Sequence, residues 1–179
     1  MDPAIAIRAE RPEDGPTIGD IVRRAYAAVP HSDRREHLMI ERLRESDAFI
    51  PALSLLAAVN GAGVGHVLLT RAHIQSERSS MPVLALAPLS VVPEWQSRGI
   101  GTRLVDAAHR QAAERGFGAI VLVGNADYYP RFGYRPLARY PIILPFDAPA
   151  PNCMIMPLTP GALAGVSGTV RYADAWLDH

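Results

Sequence analysis

Gln96-Ser97-Arg98-Gly99-Ile100-Gly101-Thr102 joins a long apolar run, Val83 to Val92, to a helix-patterned segment, Gly99 to Arg115. In that segment Ile100, Leu104, Ala108 and Ala112 fall four apart on one face. Glycines at such a junction let backbone amides come close to a ligand. Those amides belong to a helix N-terminus, where free N–H groups and the positive end of the dipole favour a phosphate or pyrophosphate. Arg98 adds a positive charge and Thr102 a hydroxyl donor. Two familiar phosphate loops fail here. A Walker loop needs a lysine, and the chain has none; a dinucleotide fingerprint needs a third glycine where Leu104 stands.

Outward from this turn the pattern alternates strands with helices. Ala4 to Arg8 reads as a short strand. Glu13-Asp14-Gly15-Pro16 opens a helix carrying Ile18, Ile21, Val22 and Ala25, and Pro30 stops it. A second helix opens at Asp33, with Glu36 completing a capping box and Met39, Ile40 and Leu43 inward. Leu53 to Val59 and Val64 to Thr70 form a hairpin about Asn60-Gly61. After the long strand and its helix, Gly116-Phe117-Gly118 leads to a buried-type strand, Ala119 to Val123, and a short helix around Asp127 to Arg131. Apolar runs Tyr140 to Leu144 and Met154 to Leu158 follow; the tail from about residue 160 is irregular, with a short strand near Val170 to Tyr172. The order predicts an α/β fold with a mixed sheet.

Composition narrows the chemistry. The 179 residues are long enough for one domain with its own core. Eighteen arginines balance eighteen acids, which argues against a nucleic-acid binder. Without lysine there is no Schiff base to pyridoxal phosphate and no lysine nucleophile. One cysteine, Cys153, excludes an internal disulfide and a multi-thiolate metal site, so no metal is expected. No apolar run approaches the roughly 20 residues that span a bilayer. Met1-Asp2-Pro3 lacks the features of a signal peptide. The expectation is a soluble cytoplasmic protein with no membrane or nucleic-acid partner.

The pattern Gln/Arg-x-x-Gly-x-Gly/Ala arises by chance in about one chain in five at average usage, so the loop alone decides little. Its flanks decide. Leu86 to Trp95 before it, and Tyr128-Tyr129-Pro130-Arg131-Phe132-Gly133-Tyr134 after the next strand, make residues 84 to 135 resemble the acyl-CoA-binding core of the GNAT N-acetyltransferase superfamily. The resemblance implies a GNAT-like, mostly antiparallel central sheet, split between the long strand and the next and flanked by helices. It implies one acyl-CoA N-acyltransferase domain over residues 1–179, with acetyl-CoA as co-substrate. The loop amides of Gln96, Ser97, Arg98, Gly99, Ile100, Gly101 and Thr102 would hold the pyrophosphate. Backbone groups of Leu89, Ser90 and Val91 would pair with the pantetheine arm. Pro88 is compatible with a bulge at that point.

The same resemblance makes Asn125 a pantetheine contact, although a capping role ahead of Asp127 serves as well. Phe132 would pack on CoA, Gly133 would permit the turn, and Tyr129, rather than Tyr128, would protonate the departing thiolate. A phenol with an ordinary pKa near 10 suits that task. The amine attacks the thioester directly, and Cys153 is an inert half-buried thiol. The base stays open between His66 and Glu94, with His73, Ser90 and Asp127 behind them; a satisfied sheet histidine is the favoured account of His66, and a solvated turn carboxylate that of Glu94. Acceptor contacts are expected from residues 26 to 45 and 135 to 160, which contain Tyr26, His31, Arg34, Arg35, Arg42, Arg135, Arg139 and Tyr140. Their arginines suit an acceptor bearing a carboxylate or phosphate, or simply pair with Glu36, Glu41 and Glu45. The implied function is acetyl transfer to a small-molecule or peptide amine, the alternative a non-catalytic acyl-CoA sensor. Dimers are common in the superfamily, leaving room for a homodimer.

Overall fold

The computed structural model describes residues 3–177. Met1 and Asp2, read above for a leader, lie outside the described residues. Strand β1 (Ile5–Ala9) is followed by α1 (Gly15–Tyr26), α2 (Glu36–Arg44), β2 (Ser54–Val59), β3 (Ala62–Gln75) and β4 (Ser80–Val91). Then come α3 (Ile100–Glu114), β5 (Ala119–Val123), short β6 (Arg135–Pro136) and β7 (Ile142–Ile143), β8 (Cys153–Pro157), β9 (Gly168–Tyr172) and α4 (Asp174–Leu177).

The strands form a single mixed, mostly antiparallel sheet in the order β1-β2-β3-β4-β5-β8-β6, with β9 pairing both β3 and β7. β4 and β5 run parallel, as α3 requires, since a helical crossover returns the chain in the same direction. The turn between β2 and β3 has Asn60 at φ 50° and Gly61 at φ 81°, the paired positive φ values of a type I′ hairpin. The tail is irregular only to about Ser167. Beyond it, β9 lies against Ala72 to Gln75 and completes the sheet where β2 has ended.

The second helix begins three residues later than its expected cap. Asp33 Oδ1 accepts the Arg35 amide in a turn, 2.9 Å, while the Ser32 hydroxyl donates to Glu36 Oε1. Asp33 therefore closes a loop outside the helix, and no capping box forms.

Two cores lie on opposite faces of β4 and β5, as side-chain alternation demands. Leu84, Ile120 and Leu122 join Ile18, Ile21 and Val22 of α1, Ile40 and Leu43 of α2 and the Ile100/Leu104/Ala108/Ala112 face of α3. Val83, Ala85, Ala119 and Val121 instead pack with Leu137, Ile142, Leu163, Val170 and Tyr172 from the C-terminal third. The central strands are thus fixed from both sides. A gap between their ends can stay open without loss of the core.

Candidate active site

β4 and β5 pair only at Leu84–Ile120 and Ala85–Val121, and then they part. The cause is a bulge in β4. Leu69 of β3 sits opposite Leu86, but two residues earlier Val67 sits opposite Leu89, so Ala87-Pro88 holds one residue more than β3 can match. A bulge bends its strand, and a proline cannot serve a central ladder.

Past the bulge, Ser90 pairs with His66 and the Val92 amide donates to Val64 O at 2.9 Å. Alternation then turns the backbone groups of Leu89 and Val91 away from β3 and toward the gap. Two side chains confirm that direction. The Tyr26 hydroxyl donates to Leu89 O at 3.2 Å, and Gln96 Nε2 donates to Val91 O at 3.0 Å. Ser90, expected as a cleft contact, faces β3 with its backbone and is buried; only its two neighbours present an open edge.

At the end of this edge stands the N-terminus of α3. Gly99 takes the N-cap position at φ 81°, which favours glycine, and no side chain caps the helix. The first-turn amides are therefore open to a ligand. Gly101 serves by size: a Cβ there would lie 2.9 Å from the Tyr128 hydroxyl. Leu89, Val91, Gln96, Ser97, Gly99, Ile100, Gly101, Thr102 and Asn125 all border one cleft of about 730 Å³, and Trp95, Tyr128 and Arg131 complete it.

Arg131 is the cleft's cation. Its Nε donates to Tyr128 O at 2.8 Å, and the guanidinium lies 4.5 Å from the Tyr128 ring centre. Sequence reading quoted Arg131 only as part of a motif; its place three residues after Tyr128, in one helical turn, was the available signal. Arg98 stands outside the lining. It stacks over Trp95 at 4.8 Å and contributes charge at the rim.

Asn125 both borders the cleft and caps the next turn, accepting the Asp127 amide on Oδ1 at 2.8 Å. That 3-10 turn, Tyr129–Phe132, projects an aromatic group whose members interlock. Tyr128 and Tyr129 cross at 5.1 Å between centroids, and Tyr128 and Phe132 at 5.3 Å. Phe132, expected on CoA, does not line the cleft; it packs edge-on behind Tyr128 and against His109.

Tyr129 borders a second cavity, of about 660 Å³, together with Tyr26, Asn125 and Tyr128. Asn125 and Tyr128 are shared by both cavities, so the two open on the same ridge. Burial, reinforced by the Tyr26 and Tyr128 phenols, holds the Tyr129 hydroxyl well above pKa 10. Gly124 makes room for its ring: a Cβ there would lie 2.5 Å from Tyr129 Cε2.

The two candidate bases fare differently. His66 is fully buried, with Nε2 2.8 Å from Ser54 Oγ, and burial lowers its pKa to about 3. It is a neutral core histidine that borders neither cavity, so it cannot receive a proton from a bound amine. Glu94 is exposed in the turn after β4, and its carboxylate is held ionised by hydrogen bonds to its own backbone and to Arg24. The Cys153 thiol is buried and its pKa raised by that burial, as an unreactive thiol requires. Among the described residues there is no cluster of three metal-ligating side chains, and no helix long and apolar enough to cross a membrane.

An uncapped helix N-terminus beside a bulged strand edge, in a sheet that splits at that point, is the arrangement that the resemblance to the GNAT superfamily implied. Comparison with known proteins agrees. The model of the acetyltransferase (GNAT) domain matches residues 51–136. The Escherichia coli K12 protein named uncharacterized N-acetyltransferase YjhQ is 34% identical over 164 residues, covering 90% of this chain and 88% of its own. Among solved structures, the GNAT N-acetyltransferase YhbS from Escherichia coli in complex with CoA superposes with a TM-score of 0.88 at 27% identity, covering 99% of this chain and 95% of its own. A GNAT acetyltransferase from Brucella melitensis in complex with acetyl-CoA gives 0.80 at 26% identity, over 98% of this chain and 99% of its own. The chain belongs to the GNAT acetyltransferase family, and its class is that of an N-acetyltransferase using acetyl-CoA.

Proposed function

We propose that the chain, acting as one domain in a reducing cytoplasm, transfers the acetyl group of acetyl-CoA directly to an amine, with Tyr129 as the proton donor to the leaving thiolate. The observation that carries this reading is the joining of two unlike features in one cleft: the uncapped α3 N-terminus and the open edge of β4 at Leu89 and Val91. The first suits a pyrophosphate, and the second suits an extended amide chain that pairs like a strand. A CoA thioester carries both groups in series, so the residues present fit it.

Each residue then has a defined task. Amides from Ile100 to Thr102 hold the anion, and Arg131 adds its charge. Leu89 and Val91 orient the arm through backbone groups on a strand that β3 fixes, their carbonyls already accepting from Tyr26 and Gln96. Acetyl-CoA supplies the activated carbonyl. Tyr129 is protonated and is the donor; the burial that raises its pKa above the ordinary value expected from sequence also makes it a weaker acid than a free phenol. Glu94 can accept the amine's proton only through water, since it borders neither cavity.

The test is release of free CoA thiol from acetyl-CoA by purified protein in the presence of a panel of amines. Amine-dependent release with a matching acetylated product is expected. Binding of acetyl-CoA with no release for any amine identifies a sensor instead.

A further inference from the structure

Glu36, the first residue of α2, stands where two recesses meet beyond the β4–β5 gap. One is the 660 Å³ cavity that holds Tyr129; the other is a smaller recess of about 230 Å³. In the larger cavity Glu36 is the sole Asp, Glu or Arg among the lining residues. Four ion pairs occur among the described residues, and Glu36 takes part in none.

Its carboxylate is nonetheless held in place. The Ser32 hydroxyl donates to Oε1, leaving Oε2 without a partner among the described residues. Its charge reaches the Tyr26 phenol, which burial and then Glu36 raise to about 12. Tyr26 in turn touches Leu89 O at the gap. A single fixed, unpaired carboxylate therefore lies one side chain away from the strand edge that would carry the thioester.

The smaller recess is walled by Met39, Leu86, Ala87, Val123 and Trp176, with Asp33, Arg35 and Arg42 as charges of both signs about it. Val123 is 40% exposed, one of few large apolar side chains left open. Of the arginines that suited an anionic acceptor, Arg42 Nε donates to Ala175 O at 3.3 Å, Arg34 borders neither recess and donates to Ala27 O at 3.2 Å, and Arg35 borders the smaller recess beside Asp33.

Resting on the acetyl-transfer reading above, we propose that Glu36 binds the ammonium of the acceptor, and that acceptors are primary amines on a compact apolar body lodged against Met39, Leu86 and Val123. A carboxylate with one free oxygen is a charge-assisted acceptor for an ammonium. The apolar members of the adjoining recess, Met39, Leu86 and Val123, favour an apolar body. An amine carrying its own carboxylate would place two anions together and is disfavoured.

The test compares 2-phenylethylamine with phenylalanine and with phosphoethanolamine, following free CoA thiol. 2-Phenylethylamine should be acetylated with a kcat/KM at least about tenfold above either anionic amine. Glu36→Gln should raise its KM by about 10- to 100-fold, the usual scale for a charge-assisted hydrogen bond, with kcat changed little. The melting shift caused by acetyl-CoA should be unaltered in that variant, and Glu36→Asp should recover part of the loss. Because Glu36 opens a helix, Val123→Phe provides a second test away from it: it should raise KM for 2-phenylethylamine and leave that for methylamine. An unchanged KM in both Glu36→Gln and Val123→Phe overturns the proposal, as does preference for an anionic amine; either leaves acetyl transfer standing. If acetyl-CoA binds and no amine releases thiol, it is the transfer reading that fails, and this inference with it.

Discussion

Gly99 and Gly101 are two residues apart, and the structure gives them different reasons to be glycine, so substitutions should separate them. A Cβ at Gly99 meets nothing within 4 Å but must sit at φ +81°. Strain of that kind costs about 1–2 kcal/mol, or roughly 2–8 °C in a chain of this size. Gly99→Ala should therefore lower the melting temperature of the free protein. Gly101 is helical, and its Cβ would crowd the end of the Tyr128 side chain, at 2.9 Å, which can turn aside, while meeting Leu89 Cδ2 at an ordinary 3.9 Å. Gly101→Asp should leave the free protein's melting temperature nearly unchanged. It should abolish stabilisation by acetyl-CoA, since a carboxylate would face the phosphates and the displaced phenol would fill the cleft. At a ligand concentration about 100 times Kd, the unaltered protein should gain about 2.7 kcal/mol, read as a shift of roughly 5–11 °C. Thermal melts of the three proteins, with and without acetyl-CoA, decide the matter. A folded Gly101→Asp variant with a full shift would refute the placement of the anion at the α3 N-terminus.

Tyr129→Phe keeps the ring and should keep CoA affinity, while kcat and kcat/KM fall together by about 10²- to 10⁴-fold; Tyr128→Phe should cost far less. Because the Tyr129 pKa is raised, the donor stays protonated on the alkaline side, and the pH profile of kcat should show no descending limb below about pH 10. Gly124→Ala crowds the Tyr129 ring and should reduce kcat with little change in the acetyl-CoA melting shift, as a displaced donor would. Acid should destabilise the fold in two stages. His66, lowered to about 3, and His109, lowered to about 4 by burial, stay neutral when folded but take up protons when unfolded. Stability should thus fall as pH drops below about 6.5, at up to about 1.4 kcal/mol per pH unit for each histidine once its unfolded form is charged. Asp14, lowered to about 2 by its hydrogen bond from Arg8, adds a second loss between its ordinary 3.8 and about 2, where the folded carboxylate is at last protonated. Guanidinium melts from pH 8 to pH 3 would test this, and a flat profile between 6.5 and 4 would contradict the neutral histidines.

The fold was legible where local pattern and tertiary role coincide. The four-residue spacing of Ile100, Leu104, Ala108 and Ala112 is the buried face of α3, and Asn60-Gly61 is the hairpin turn. It was less legible where a polar side chain had two local uses. Asp33 can cap a helix or close a turn, and Ser32 bonding Glu36 settles the choice in a way no spacing reveals. The reach of β3 was also hidden: Arg71, His73 and Gln75 are polar and exposed, and they stay in the strand because β4 and β9 flank it on both sides.

The same distinction divides the active site. The half proposed for acyl-CoA is built from consecutive residues, because a helix N-terminus and a strand edge are backbone features; Gln96 to Thr102 therefore lie in one stretch. Even there, side-chain facts went unseen: Ser90 turned inward, Phe132 lay behind Tyr128, and Arg131 supplied the cation. The proposed acceptor half would be assembled from Tyr26, Glu36, Val123 and Tyr129, which are spread over four elements and share no spacing. The pleat of β3 sets the face to which His66 points, and the β4 bulge sets its partner, Ser90. One extra residue at Ala87-Pro88 thus opens the cleft, aims the backbone groups of Leu89 and Val91 into it, and seats Ser90 opposite the buried His66. That residue could be suspected from Pro88, but its consequence for a histidine on the neighbouring strand exists only once the strands are in register.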